Sequence, residues 1–267
     1  MVDLNRLSFN ICIGVGAIAA LALLCAPTLI VLITSISAGE TLRFPPQGFA
    51  LHWYADLLNF PEIHAAVLNS LKVAILATAI CLILGIGAAL PLARSRSGWA
   101  KFVNALVMSP LILPGLSIGL ALLIFFNFLG WRLSLTTLVI SHVVVCVPYV
   151  VRTVLTSVSQ LSANLGEASS SLGATPFYTF FHITMPPIRR GVIMGGLLAF
   201  LSSLDNLTVS IFLADARTEV LPIRLWSMIE NDLDVRAAAV SGVLILATAI
   251  IMLLVDRLAG LSQVITK

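Results

Sequence analysis

The chain has 267 residues, of which 59% are hydrophobic and only 10% are charged, with a formal net charge of +3. Soluble domains carry about 25% charged residues, so the composition excludes an ordinary soluble domain and points to an all-α protein that crosses a membrane several times. No basic cluster with interleaved aromatics occurs, which leaves nucleic-acid binding without support, and no Gly-x4-Gly-Lys phosphate loop occurs, so the chain is not its own ATPase.

Six spans are predicted, over residues 11–34, 73–93, 102–129, 133–151, 191–214 and 237–255, in one transmembrane domain covering residues 1–267. Each is near the ~20 residues that a helix needs to cross ~30 Å of hydrocarbon. Barrel strands do not fit apolar runs of this length without alternation. The first span follows Arg6 and precedes Ser37-Ala38-Gly39, as a cleaved signal would. It is longer than the roughly 7–15 residues of a signal's apolar region, and is therefore read as an uncleaved first helix.

After span 1, Phe44-Pro45-Pro46-Gln47-Gly48-Phe49 forbids a regular helix, and Trp53-Tyr54 suits a membrane-interface belt. Leu57 to Val67 reads either as a short helix lying on the outer surface or as loop packing. Pro110, Pro114-Gly115 and Pro148 predict bends in spans 3 and 4, which membrane bundles tolerate where neighbours cover the freed carbonyls. The Gly115-x3-Gly119 and Gly191-x3-Gly195 pairs permit close helix contact. The cysteines (Cys12, Cys25, Cys81, Cys146) lie in apolar spans without metal spacing and read as small apolar filler.

Residues 161–187 form a moderately polar island between two apolar runs. Ser162, Ala163 or Asn164 can cap a helix beginning near Leu165, with Glu167 in the first turn, where its charge complements the helix dipole. Ala168, Leu172 and Gly173 fall near one face. A second short helix is predicted after Pro176, with Phe177, Phe180, Phe181 and Ile183 buried against the bundle, and Pro186-Pro187 opening span 5 where no backbone donor is needed.

Span 5 contains one acid, Asp205, beside Asn206 and near Ser202, Ser203 and Thr208. A carboxylate at that depth costs about 2.5–3.5 kcal/mol on insertion scales, so it faces protein or water. Two readings are open: a hydrogen-bonded acid pinning helices together, or a pathway and gate residue with Asn206 and Ser202. The following loop, residues 215–236, is predicted to be helical around Pro222 to Asn231, with Leu221, Leu225, Met228 and Ile229 on one face. Trp226, Glu230 and Asp232 there read as a landing surface for an external protein or as interface anchoring.

With the N-terminus inside, nine Lys and Arg (Arg6, Arg94, Arg96, Lys101, Arg152, Arg189, Arg190, Arg257, Lys267) lie inside and six outside, while acids such as Asp3 and Asp256 are in the minority inside. The bias predicts both termini in the cytoplasm.

The spacing Glu167-Ala168-Ser169, three residues, Gly173, nine residues, Ile183, one residue, Met185-Pro186 resembles the signature of permease subunits of binding-protein-dependent ABC importers of type I. It departs from that signature at Ser169, where the family has a second alanine, and at Met185, where it has leucine. The likeness extends to Gly48 through Tyr54, Ser171 through Pro176, Ala199 through Asn206 and Leu221 through Met228, and is similar to the second permease of spermidine/putrescine-type systems. A family Pro-Glu pair is Asp234-Val235 here, and a family acid after the span 3 proline is Gly115.

The resemblance implies that Glu167, Ala168, Ser169, Leu172, Gly173 and Ala174 belong to a coupling helix entering a groove on an ABC ATPase dimer, which would hold ATP and Mg; this chain itself needs no cofactor. It further implies a second homologous permease, a periplasmic or extracellular binding protein, surrounding lipid, residence in a bacterial inner membrane, and alternating access as mechanism. Polyamine is the leading solute, with thiamine or iron behind it. A non-transporting membrane scaffold or sensor and a secondary carrier are the rivals; a carrier is expected to show repeats and several mid-membrane charges.

Overall fold

The computed structural model describes residues 4–162 and 164–259. Asp3, Ala163 and Lys267 lie outside the described residues, as do the side chains of Arg6 and Asp256. Every regular element among the described residues is helical: α1 (Leu4–Ser35), α2 (His52–Asp56), α3 (Pro61–Arg94), α4 (Gly98–Met108), α5 (Gly115–Phe128), α6 (Leu135–Ser159), α7 (Asn164–Ser171), α8 (Pro176–Tyr178), α9 (Met185–Leu204), α10 (Leu207–Leu213), α11 (Leu221–Asp232) and α12 (Val235–Ala259). Four helices (α1, α3, α6, α12) are long and apolar enough to cross a membrane unbroken, and two bent pairs bring the number to six if each is one span.

The bent pairs revise spans 3 and 5. The third predicted span is two helices, Gly98–Leu111 and Gly115–Phe128, at 105° to each other. Pro114 cannot donate to the ladder and disfavours helix in the residue before it, so α4 tapers through a 3-10 turn, Ser109–Leu111, and α5 starts anew. The fifth is bent by 55° between Pro176–Leu204 and Leu207–Leu213. The break falls on Asp205-Asn206: the Asn206 side chain accepts from the Val209 N–H at 3.0 Å and caps α10, a bond available only to a residue outside the helix.

Two further boundaries move. Leu57 to Val67 is not a separate surface helix: residues 57–59 form a 3-10 turn, and Pro61 opens the 34-residue α3. Pro61 suits a first helical turn and Glu62 complements its dipole, and no breaker intervenes before Pro91. At about 51 Å this helix is longer than the hydrocarbon core is thick. Its first turns clasp the loop before α11: Asn69 donates to the Arg217 and Glu219 carbonyls at 3.1 and 3.0 Å, Ser70 accepts from the Leu221 N–H at 2.8 Å, and Glu62 pairs with Arg224. Span 4 starts as predicted, at a Ser134/Thr137 capping box, but runs on to Ser159, so Arg152 lies inside α6 rather than beyond its end.

The described residues divide into two compact units, those within 62–224 with the end of α12, and residues 4–61 with 225–252. In the first, α6 is the most enclosed span, and its residues Val150 to Thr153 are approached from two sides by glycines. A Cβ on Gly85 of α3 would lie 2.6 Å from the Val150 side chain, and one on Gly195 of α9 would lie 2.9 Å from the Val150 Cα. One on Gly191 would lie 2.9 Å from the Thr153 carbonyl oxygen. Gly119 of α5 sits equally close to α10, 3.0 Å from the Thr208 carbonyl. Both Gly-x3-Gly pairs therefore serve close packing. Cys81 and Cys146 are buried in this core, whereas Cys12 and Cys25 are exposed on α1.

In the second unit, α1 is exposed along most of its apolar length, with Ile18 and Leu23 as examples. Tyr54 bonds Ser35 at 2.7 Å and the Trp53 indole donates to the Ser37 carbonyl at 3.0 Å, so the polar tips of both aromatics anchor the loop after α1. Asp234 pairs with Arg236 (Nε to Oδ2 2.6 Å), whose guanidinium lies 4.5 Å from the Phe60 ring centroid.

Candidate functional site

Two places in the larger unit concentrate polar groups: the bend between α6 and α9, and the break in span 5.

The bend is built from α7 upward. Helix α7 begins at Asn164, which is therefore the first helical residue rather than the cap, and Glu167 is in its first turn. It ends on a Schellman motif: the Gly173 N–H donates to the Ser170 carbonyl at 2.9 Å and the Ala174 N–H to the Ser169 carbonyl at 3.2 Å. This closure needs a left-handed residue at Gly173, which has φ of +81°. Nothing lies within 4 Å of where its Cβ would be. The glycine is thus required by backbone conformation, not by crowding within the chain.

A second helix follows, as predicted, with the Thr175 side chain accepting from the Tyr178 N–H at 3.3 Å and Pro176 in the first turn. It runs through a π-helical turn, Thr179–Thr184, straight into α9. Pro186 and Pro187 explain the π turn: neither can donate to a carbonyl one turn back, and the widened register accommodates the loss.

The predicted burial of this helix holds only in part. Phe180 and Ile183 are half-buried, but Phe177 is 78% and Phe181 54% exposed, and their rings stack on each other at 6.3 Å. Leu172, at the tip, is 89% exposed. Ser169 faces inward, 8% exposed, with its hydroxyl 2.8 Å from that of Thr179. Ala168, Leu172, Gly173, Ala174, Tyr178 and Ile183 are among the residues lining a concavity of about 690 Å³ on one side of α7. On another, Glu167, Arg94, Ser170 and Phe180 line one of about 620 Å³. The second half of the signature is explained as well: Ile183 underlies α7, and Met185 packs on the core at the start of α9.

The Ser169–Thr179 pair gives a first prediction. Thr179→Val, which leaves the Ser169 hydroxyl without its partner, costs about 1 kcal/mol. Ser169→Ala/Thr179→Val recovers most of it. Thermal melts of the purified protein carrying each variant check this, and additive single and double effects would refute the pairing.

At the break in span 5, Asp205 is exposed on the chain's surface, Asn206 is half-buried and Ser202 is half-buried one turn back on α9. The Asn206 amide oxygen also accepts from the Thr208 hydroxyl at 3.3 Å. Among the described residues Asp205 has no ion-pair partner within the chain, which does not support its reading as a pin between helices. The residues that do pin helices here were not singled out from sequence. His142 on α6, 1% exposed, places Nδ1 2.7 Å from the Ser203 hydroxyl and Nε2 3.0 Å from that of Ser210. The available signal was a lone histidine in an otherwise uncharged span and two serines flanking Asp205-Asn206.

In the loop after α10, the Asp215 carboxylate accepts from the Thr218 hydroxyl and N–H at 2.7 and 2.9 Å and from the Arg217 N–H at 3.1 Å. These bonds, the Thr218 hydroxyl first, hold it below the usual carboxylate range. Helix α11 forms where predicted. Trp226 and Glu230, one turn apart, and Asp232 are exposed, while Leu221 and Met228 are buried; Ile229, predicted on the buried face, is 41% exposed.

Residues 81–263 match the family described as binding-protein-dependent transport system inner membrane component. The chain is 28% identical over 240 residues, 90% of each protein, to the spermidine/putrescine transport system permease protein PotC of Escherichia coli (strain K12). It is 31% identical over 237 residues, 85% of this chain and 83% of the relative, to the putrescine transport system permease protein PotI of the same strain. In fold it is similar to a chain of the bacterial alginate ABC transporter crystallised with an alginate pentasaccharide-bound periplasmic protein, with a TM-score of 0.72 at 16% identity over 99% of this chain and 97% of that one.

Proposed function

This chain belongs to the family of inner membrane components of binding-protein-dependent transport systems, and from that premise we propose that it moves a polyamine across a bacterial inner membrane, driven by an ATPase that grips the α7 bend. That it is a permease subunit of an ABC importer, a multi-pass membrane protein without catalytic duty of its own, follows from the family.

The observation that carries the grip is the exposed apolar tip. Leu172, Phe177 and Phe181 all stand free on the segment where the family signature lies. Exposed apolar groups of this size, rimmed by the polar Glu167, Ser170 and Thr175, mark a protein interaction site. Burial of Leu172 in a groove of the ATPase dimer, which carries the ATP and Mg, accounts for them. Nine Lys and Arg on this side support a cytoplasmic bend and cytoplasmic termini. The sister permease would supply the other half of the pathway, and Trp226, Glu230 and Asp232 would meet the loaded binding protein outside. Polyamine is favoured over thiamine or iron by the names of the relatives and by Asp205, an acid at the break with no ion-pair partner among the described residues, flanked by Asn206 and Ser202.

The test is co-purification and uptake. Leu172 is 89% exposed, so Leu172→Ala leaves membrane abundance level, while retention of the ATPase weakens about fivefold, the effect of roughly 1 kcal/mol lost from an interface. Retention and substrate-stimulated ATP hydrolysis equal to the parent would refute the grip. Labelled spermidine and putrescine, run against thiamine and ferric iron, decide the solute; uptake of either rival alone removes polyamine.

A further inference from the structure

One side chain from a neighbouring helix bonds both sides of the break in span 5. His142 reaches Ser203 in the last turn of α9 with one ring nitrogen and Ser210 in the second turn of α10 with the other. Between those serines lie Asp205 and Asn206. The directions of the bonds follow from the rest of the network. The Ser210 hydroxyl donates to the Asn206 carbonyl, so toward His142 it can only accept. Nε2 then carries the proton and Nδ1 accepts from the Ser203 hydroxyl. One neutral tautomer completes a chain of bonds from α9 through α6 to the cap of α10.

Geometry makes this arrangement selective for the bent form. Residues seven apart on one face of a straight helix are separated by about 10.5 Å along the axis. An imidazole with a hydrogen bond at each end spans roughly 8 Å. The ring therefore satisfies both hydroxyls only when the helix is broken between them; straightening leaves a ring nitrogen unpartnered in a buried site, which is costly.

We propose that His142 is a positioning residue: with Ser203 and Ser210 it clamps the two segments of span 5 at their break and thereby fixes where Asp205 and Asn206 stand along the solute route. The inference deepens the transport reading above and rests on it for the role of Asp205.

The experiment uses the full chain in the assembled importer in lipid nanodiscs, with spin labels on the exposed Leu198 and Ile211, one on each side of the break, and Cys12 and Cys25 replaced by serine. The parent gives one narrow distance. His142→Ala, Ser203→Ala and Ser210→Ala each broaden it and lower the maximal uptake rate about fivefold at comparable membrane abundance, whereas Ser203→Thr, which keeps the hydroxyl, restores both. If His142→Ala does not accumulate, the serine variants carry the test, because they leave the ring in place. An unchanged narrow distance in both Ser203→Ala and Ser210→Ala overturns the clamp. Asp205→Asn separates the two layers. If it transports normally while the clamp variants still broaden the distance, the route assignment fails and the clamp stands. If it abolishes uptake while they leave the distance unchanged, the clamp alone fails.

Discussion

Gly173→Val lowers uptake by the assembled importer about thirtyfold, while Gly173→Asn stays within about twofold of the parent. Gly173 holds φ at +81° so that two N–H groups can close the end of α7. A β-branched residue is a steric outlier there, with a penalty of about 2 kcal/mol, whereas asparagine visits this region readily. Because no atom lies within 4 Å of the added Cβ, neither variant collides with its own chain. The difference between them therefore measures the cap. Gly173→Asp extends the series: its backbone tolerance resembles that of asparagine, so any deficit beyond asparagine reports charge placed against the ATPase. Equal losses for valine and asparagine would assign the glycine to contact with the partner and not to helix termination. Uptake, ATPase retention and membrane abundance measured on all three decide the matter.

The second large effect concerns assembly of the core. Gly195→Ala reduces the chain recovered from membranes roughly twentyfold, and Gly196→Ala changes it little. The two glycines are adjacent in sequence but face different neighbours. At Gly195 the new methyl would meet the Val150 Cα at 2.9 Å, a backbone atom of α6 that cannot rotate away. Relief requires α9 to move off α6, and overpacking of this kind costs about 1–3 kcal/mol. At Gly196 the nearest atoms are the terminal carbons of Leu82, at 3.3 and 3.5 Å, and a leucine side chain can yield by that amount. Quantitative blotting against a co-expressed membrane standard checks both. Similar recoveries for the two variants would show that the α6–α9 contact does not limit folding.

These effects also show where sequence was informative. Six apolar runs were legible because hydrocarbon thickness sets their length, and the α7–α8 pair was legible because capping residues and Pro176 mark its ends. The Gly-x3-Gly pairs pointed to the close contacts that α6–α9 and α5–α10 make. Less was recoverable where a local signal has a distant cause. Asp205-Asn206 sat inside an apolar run long enough to cross in one piece; Asn206 could have been read as a cap, but the side chain that bonds both sides of the break, His142, lies sixty residues earlier in the chain. Leu57 to Val67 read as a short surface helix or as loop packing, separate from span 2, yet from Pro61 it is the start of α3, whose first turns are held where Asn69 and Ser70 find partners in the loop before α11. Phe177 and Phe181 were expected inside because they are apolar. Hydrophobicity does not distinguish a side chain covered by its own chain from one that awaits another protein.

The continuity from Pro176 to Leu204 carries a mechanical meaning. The π turn widens the helix without interrupting it, so about 43 Å of stiff rod joins the tip beside Leu172 to the break at Asp205. Stiffness of that kind converts rotation into travel: a swing of about ten degrees at one end displaces the other by roughly 7 Å over this length. If an ATPase does push at its base, as proposed, the first break in the helix that such a lever meets is the one at Asp205-Asn206, and the movement arrives at the His142 bonds that hold it.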